Sequence, residues 1–253
     1  MKMSESCAII TGGSSGLGGA TARNFVSGGA KVAIFDTNVT KGEALAAEFG
    51  EDGLFVQTDV TNEDNLKSAI RKTLDRFGKI SVCVNCAGIG AAQKTMGKEG
   101  PHSLGLYKTV LDVNLTGTFN TLRLAVEAME KNEPNADGER GVIVNTASVA
   151  AFDGQKGQVA YSASKGGIVG MTLPIARDLA YYGIRVCAIA PGLFLTPLFE
   201  GLGQEVVDSL STQVTFPKRL GNPAEFGMLA RTIVENPYLN GETIRLDGAI
   251  RLP

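Results

Sequence analysis

The chain alternates between short, nearly continuous apolar runs and longer amphipathic segments, and this alternation constrains its fold more than any other feature. Seven apolar runs predict strands covered on both faces, at residues 6–11, 30–35, 54–57, 80–85, 141–146, 184–190 and 243–246. The segments between them predict helices at 15–28, 40–49, 62–77, 103–132, 158–181 and 223–235. This order predicts an α/β fold, a doubly wound seven-stranded parallel sheet with helices on both faces.

Two stretches interrupt the alternation. Residues 89–102 predict a loop, and residues 192–222 form a long apolar connection that follows a strand. We interpret 192–222 as a substrate lid, or alternatively as a helical pair that packs on the core or on another subunit. Pro174 predicts a bend or an interruption in its helix. The 253 residues contain no repeat or linker, so we expect a single domain over 1–253.

The composition argues against several classes of binding partner. The formal net charge of −2 and the lack of charged tails give no reason to expect binding to nucleic acid. The chain contains no apolar stretch of the roughly 20 residues that a membrane helix needs. Its first residues do not resemble a signal peptide, so we expect no membrane association and a cytoplasmic location.

Cysteine and histidine are too sparse for metal chemistry. Cys83 and Cys86 spell C-x-x-C, but they fall in a strand-like run where a three-residue spacing directs side chains to opposite faces. No second pair could complete a metal site, and we predict none. His102 is the single histidine and lies in a polar stretch. Any proton transfer is therefore expected to use another residue type.

A glycine-rich turn follows the first predicted strand and begins the first predicted helix. Its sequence is Thr-Gly-Gly-Ser-Ser-Gly-Leu-Gly from Thr11 to Gly18. Glycines let the backbone approach a pyrophosphate, which the N-terminus of the helix also attracts. A strict G-x-G-x-x-G is absent because position 21 is Thr. The turn predicts a Rossmann-type dinucleotide site.

Asp36 indicates which dinucleotide binds. It ends the second predicted strand, 20 residues after Gly16. A carboxylate there can accept hydrogen bonds from the ribose hydroxyls and would repel a 2′-phosphate. Neither Thr37 nor Asn38 offers a positive charge to such a phosphate. We therefore predict NAD rather than NADP.

A tyrosine, a lysine and a serine predict acid–base catalysis. Tyr161 and Lys165 lie four residues apart, which places them on one face of a helix. We expect the Lys165 ammonium to lower the pKa of the Tyr161 phenol from about 10. Ser148 follows the strand at 141–146 and should lie at the ligand-binding edge of the sheet.

These elements together resemble the short-chain dehydrogenase/reductase family over essentially the whole chain. The match also includes Asp59-Val60, Asn85 to Gly88, Asn114, and Pro191-Gly192 with Thr196; Cys86 stands where the family usually has Asn. The resemblance implies that Tyr161 exchanges a proton with the substrate oxygen, Lys165 holds the nicotinamide ribose, Ser148 holds the substrate oxygen, and Asn114 anchors a relay water. The cofactor contacts implied by motif and resemblance are Gly12, Ser15, Gly16, Leu17, Gly18, Asp36, Asp59, Val60, Cys86, Ala87, Gly88, Tyr161, Lys165, Pro191, Gly192, Phe194 and Thr196.

Within that family, the sequence resembles the branch that oxidises short 3-hydroxyacyl-CoA thioesters. We therefore predict interconversion of an (S)-3-hydroxyacyl-CoA and a 3-oxoacyl-CoA. The alternatives are a hydroxysteroid or other alcohol as substrate, and a non-catalytic NAD-binding scaffold. Gln155 and Gln158, with Ser148 and Tyr161, are candidate substrate contacts. Lys94 and Lys98 are either contacts of the coenzyme A phosphates or solvated loop lysines.

The same resemblance implies a homotetramer. Helices near 103–132 and 158–181 would pair across its subunits.

Overall fold

The computed structural model describes residues 1–197 and 204–252. Its main sheet has seven parallel strands in the order β3-β2-β1-β4-β7-β8-β9. These strands are β1 Cys7–Thr11, β2 Lys31–Asp36, β3 Gly53–Gln57, β4 Val82–Asn85, β7 Gly141–Thr146, β8 Ile184–Pro191 and β9 Thr243–Leu246. The order reverses between β1 and β4, so a crevice for ligands opens there at the carboxyl ends of the strands. The predicted doubly wound sheet is confirmed.

Helices cover both faces of the sheet. They are α1 Gly16–Ser27, α2 Val39–Phe49, α3 Glu63–Phe77, α4 Leu104–Leu111, α5 Gly117–Met129, α6 Val159–Leu179, α7 Gln204–Gln213 and α8 Pro223–Glu235. Phe25 of α1 and Phe226 of α8 are fully buried in the core on one face. Leu66 of α3 and Ala125 of α5 are fully buried on the other.

The prediction of one continuous helix over residues 103–132 is wrong. This segment forms α4 and α5, which are joined by a π-helical turn over Asp112–Thr116. Asn114 lies in the middle of this turn and is fully buried. Such a turn widens the helix by one residue and often occurs at functional sites. By contrast, α6 continues past Pro174, so the proline does not interrupt it.

The stretch 89–102, predicted as a loop, contains a small antiparallel hairpin of β5 Met96–Gly97 and β6 Gly100–Pro101. Most of the rest of it is irregular. Within 192–222, helix α7 covers Gln204–Gln213, and Phe194 forms a bridge with Gly221. Residues 198–203 of the predicted lid lie outside the described part of the chain.

The four cysteines are free. Cys83 is buried in the core on one face of the sheet, whereas Cys86 packs against the core on the other. Across residues 1–197 and 204–252, no group of three metal-ligating side chains comes together. None of the helices described there is both long and apolar enough to cross a lipid bilayer.

Candidate active site

A cleft opens at the carboxyl ends of β1, β2 and β4, where the strand order reverses. Most of the predicted cofactor residues line it: Gly12, Ser15, Gly16, Leu17, Gly18, Asp36, Asp59, Val60, Cys86, Ala87, Gly88 and Thr196. Thr37 also lines it, and so do residues that the sequence motifs did not single out: Phe35, Thr58, Ile89, Val113 and Pro197. A parallel sheet brings these separate segments to one edge because all of its strands end there.

The glycine turn is shaped for close packing. Gly12 has a φ of +60°, and a Cβ atom at this position would lie 2.8 Å from the backbone nitrogen of Ala87. A Cβ atom on Gly18 would collide with the carbonyl oxygen of Gly12. Because the turn has no side chains at these points, its backbone can pack closely beside the N-terminus of α1. The first N–H groups of a helix lack partners within the helix, so this end fits a pyrophosphate.

Asp36 lies at the rim of the cleft in a fixed orientation. Its Oδ2 accepts hydrogen bonds from the backbone N–H and the hydroxyl of Ser14, at 3.1 and 2.7 Å. Its Oδ1 accepts a hydrogen bond from the backbone N–H of Asn38 at 2.9 Å. Ser14 is a positioning residue that the sequence motifs missed, although it lies between the glycines of the turn. The glycine turn and this fixed carboxylate together fit an adenosine dinucleotide.

Ser148, Tyr161 and Lys165 come together beside this cleft. Ser148 follows β7, while Tyr161 and Lys165 occupy successive turns of α6. The Ser148 side chain lies close enough to the Tyr161 phenol to lower its pKa. The Nζ atom of Lys165 lies 5.8 Å from the centroid of the Tyr161 ring. The same atom would be 3.7 Å from a Cβ atom on Gly88, which places it at the wall of the cleft.

The predicted effect of Lys165 on Tyr161 is wrong for this structure. Burial raises the pKa of the Tyr161 phenol above its ordinary value of 10, and the hydrogen bond with Ser148 lowers it by less. Removal from water destabilises a phenolate, and this outweighs the single hydrogen bond that favours it. Tyr161 is therefore a neutral phenol here, which is the form that donates a proton to a carbonyl oxygen.

Lys165 is buried, and its charge is only partly compensated. Its Nζ atom donates a hydrogen bond to the carbonyl oxygen of Thr146 at 2.7 Å. Burial lowers the pKa of Lys165 to about 8, and the nearby Cys86 raises it by a smaller amount. The hydroxyl of Thr146 donates to the Sγ atom of Cys86 at 3.4 Å. Thr146, which the motifs did not single out, therefore contacts two residues of the site.

Asn114 holds the wall of the cleft in place. Its Oδ1 accepts a hydrogen bond from the backbone N–H of Ile89 at 2.8 Å, and its Nδ2 donates to the carbonyl oxygen of Ile89 at 3.0 Å. The same Nδ2 donates to the hydroxyl of Ser164 at 3.1 Å. Both N–H groups of the side-chain amide are thus engaged with protein groups, and the predicted role with a relay water stays a prediction.

The remaining predicted residues lie around the site at different depths. The backbone N–H of Gln155 donates to Oε1 of Gln158 at 3.0 Å, in the turn that precedes α6. Pro191 ends β8, and Gly192 packs against Asp247. The side chain of Phe194 is buried in the core and does not line the cleft. Its predicted contact with the cofactor would have to use its backbone.

Comparison with known proteins identifies the class that this fold and site define. A family model for the short chain dehydrogenases matches residues 6–207. The chain belongs to this family and is an oxidoreductase that uses a nicotinamide cofactor.

Individual relatives extend the similarity to nearly the whole chain. The chain is 56% identical to 3-hydroxyacyl-CoA dehydrogenase type-2 of Homo sapiens, over 97% of this chain and 95% of the relative. It is 52% identical to the enzyme of that name from Drosophila melanogaster, over 96% of each. The crystal structure of 3-hydroxyacyl-CoA dehydrogenase type-2 from Mycobacterium avium superposes with a TM-score of 0.96 at 42% identity, covering 100% of this chain and 99% of that one.

Proposed function

We propose that this protein is an NAD-dependent dehydrogenase that interconverts (S)-3-hydroxyacyl-CoA and 3-oxoacyl-CoA thioesters. The observation that carries the proposal is the convergence of Ser148, Tyr161 and Lys165 beside the cleft at the glycine turn. High identity to enzymes named for this activity, over almost the full length, supports the choice of substrate.

The chain's own groups account for the proton transfer. Tyr161, held by Ser148, donates its phenolic proton to the substrate oxygen during reduction and accepts a proton during oxidation. Ser148 orients that oxygen, and Lys165, at the wall of the cleft, would hold the nicotinamide ribose. When bound, the nicotinamide supplies or accepts the hydride. Gly12, Gly16, Gly18 and Asp36 would hold the rest of the cofactor.

We expect NAD(H) to be preferred over NADP(H) because Asp36 faces the cleft as a fixed carboxylate. Replacing Asp36 by Ala and Thr37 by Arg should raise kcat/KM for NADP⁺ by more than about tenfold relative to NAD⁺, because the repulsion of a 2′-phosphate is replaced by attraction. Steady-state kinetics with both cofactors measure this ratio. Asp59→Ala, which removes a carboxylate elsewhere in the cleft, is the matched control. An unchanged ratio in the double variant would contradict the assignment.

A substrate panel tests the proposed reaction directly. Acetoacetyl-CoA, a 3-ketosteroid and simple ketones should be assayed with NADH and NADPH in parallel. We expect the highest kcat/KM for acetoacetyl-CoA with NADH. A steroid or a simple ketone that outperforms the thioester would shift the assignment to another alcohol dehydrogenase. If none of these compounds is turned over, the result would favour the alternative of a non-catalytic NAD-binding scaffold.

Lys94 and Lys98 remain candidates for contact with the coenzyme A phosphates. Both side chains are exposed, on the stretch that includes the β5–β6 hairpin. We expect a Lys94→Ala/Lys98→Ala variant to show a raised KM for acetoacetyl-CoA that depends less on salt, because point charges attract phosphate. Lys41→Ala, an exposed lysine on α2, is the control. An unaltered KM would identify both residues as solvated loop lysines.

Assembly and location are proposals as well. Phe119 of α5 and Leu173 of α6 are exposed by 47% and 44% in the single chain, on the two helical segments that would pair in a homotetramer. A contiguous patch of exposed apolar side chains would be typical of an interface between subunits. The tetramer, the cytoplasmic location and the lid over 192–222 stay predictions of the sequence.

A further inference from the structure

Arg245 connects the last strand of the sheet to the turn that follows Ser148. It lies in β9, and its Nη2 atom donates a hydrogen bond to Oδ2 of Asp153 at 2.6 Å. The guanidinium also lies over the ring of Phe152, 5.2 Å from the centroid. The side chains of Arg245 and Asp153 are 22% and 20% exposed, so this ion pair is mostly shielded from water.

The guanidinium is itself held in place. Its Nε atom donates to Oδ2 of Asp247 at 2.8 Å, and its Nη2 atom also donates to the carbonyl oxygen of Ile250 at 3.1 Å. The side chain of Asp247 is only 8% exposed. A planar guanidinium with several bonds in fixed directions orients its partners more strictly than an ammonium would.

Asp153 is coupled to Ser148 through a very short turn. The backbone N–H of Asp153 donates to the carbonyl oxygen of Val149 at 2.8 Å, and that of Ala150 donates to the Ser148 hydroxyl oxygen at 3.1 Å. The Ser148 side chain in turn lies close to the Tyr161 phenol. The far end of the turn is fixed by Arg245, and the near end carries the hydroxyl that orients the substrate oxygen.

We propose that Arg245, through its ion pair with Asp153, is a positioning residue that holds the turn 148–153 so that Ser148 meets Tyr161 and the substrate. Arg245 has no direct contact with the cleft that receives the dinucleotide. Its loss should therefore reduce the rate of the chemical step and leave cofactor binding intact. This inference rests on the proposed function, because it is measured through turnover of the acyl-CoA substrate.

The test uses the full chain with Arg245→Met, Asp153→Ala and the double variant. We expect kcat to fall by about 10- to 100-fold in each single variant, the scale on which slight misplacement of reacting groups acts. The dissociation constant for NADH, measured by fluorescence, should stay within about twofold. Because both residues act through one ion pair, the double variant should be no slower than the worse single variant.

Two further variants make the result decisive. Arg251→Met is the matched control, because Arg251 also donates to Asp247 and Ile250 but makes no hydrogen bond to Asp153. Asp153→Asn keeps an acceptor oxygen for Arg245 and should recover most of kcat.

Unchanged kcat in Asp153→Ala, losses that multiply in the double variant, or an equal loss in Arg251→Met would each overturn the proposal. If Arg245→Met does not fold, the two Asp153 variants still decide it. A wild-type chain without turnover would instead overturn the proposed function, and this inference with it.

Discussion

Tyr161→Phe is expected to reduce turnover by about 10²–10⁴-fold, the usual scale for losing a general acid or base. The substitution removes one oxygen atom and leaves the ring in place beside Lys165. Without the phenol, Ser148 is the hydroxyl that we assign to the substrate oxygen, and an aliphatic hydroxyl is a much weaker acid than a phenol. Stopped-flow or steady-state assays of acetoacetyl-CoA reduction would measure the loss.

The NADH dissociation constant should change little in this variant, because the cleft is lined mainly by the glycine turn and the ends of β2, β3 and β4. Tyr181→Phe makes the same chemical change on a side chain that is 90% exposed, and it should have wild-type kinetics. Turnover in Tyr161→Phe within threefold of wild type would show that another group transfers the proton.

Arg185→Met is expected to destabilise the fold by about 3–5 kcal/mol, the range measured when one partner of a buried ion pair is removed. Arg185 is 6% exposed, and its Nε atom donates to Oε1 of Glu139 at 2.6 Å. Its Nη atoms donate to the carbonyl oxygens of Ile233, Val234 and Leu239. Methionine fills a similar volume but leaves a buried carboxylate and three carbonyl groups without this donor.

Urea denaturation would measure the change as a shift in midpoint with a similar slope. Arg231→Met is the control, because its ion pair with Glu235 is largely exposed and should contribute at most about 1 kcal/mol. The ion pair lies at the amino-terminal end of β8, opposite the catalytic edge, so kcat at low temperature should be unchanged. A loss below 1 kcal/mol in Arg185→Met would contradict the assigned role.

The same pair predicts how stability depends on acid. Burial raises the pKa of Glu139, but hydrogen bonds from Arg185, the N-terminal amine and Asn135 lower it below the ordinary 4.5. A carboxyl with a lowered folded pKa stabilises the protein at and above the unfolded pKa. That contribution is lost as the pH falls below 4.5 through the folded value. In Arg185→Met the largest cause of this lowered pKa is removed. The free energy of unfolding should therefore start from a lower value and fall less steeply below pH 4.5 than in wild type, which acid titration of the two proteins would measure.

The strands could be predicted almost to the residue because each is an apolar run that ends at a polar or glycine-containing turn. Ile9, Ile34, Val84 and Ile143 are fully buried, as strands covered on both faces require. The break between α4 and α5 could not be predicted, because Asn114 falls within a pattern that otherwise continues as a helix. The side-chain amide of Asn114 forms hydrogen bonds with the backbone of Ile89, and this contact depends on the tertiary fold.

Which residues form the candidate site could be predicted from the sequence, whereas the directions of their pKa shifts could not. Tyr161 and Lys165 share a helix face, as their spacing requires. The spacing does not report how deeply each group is buried, and burial determines the direction of both pKa shifts. Ser14, Thr146 and Arg245 were missed for a related reason. Their roles depend on partners distant in sequence, such as Asp36 for Ser14 and Asp153 for Arg245.

The double hydrogen bond between Asn114 and Ile89 has a consequence for how such enzymes can diversify. The chain is anchored at Ile89 before it enters the irregular stretch with the hairpin. Insertions or exchanges in residues 90–100 should therefore leave Gly88 and Lys165 in place. We expect this surface segment to tolerate variation among related enzymes while the groups that transfer the proton keep their positions.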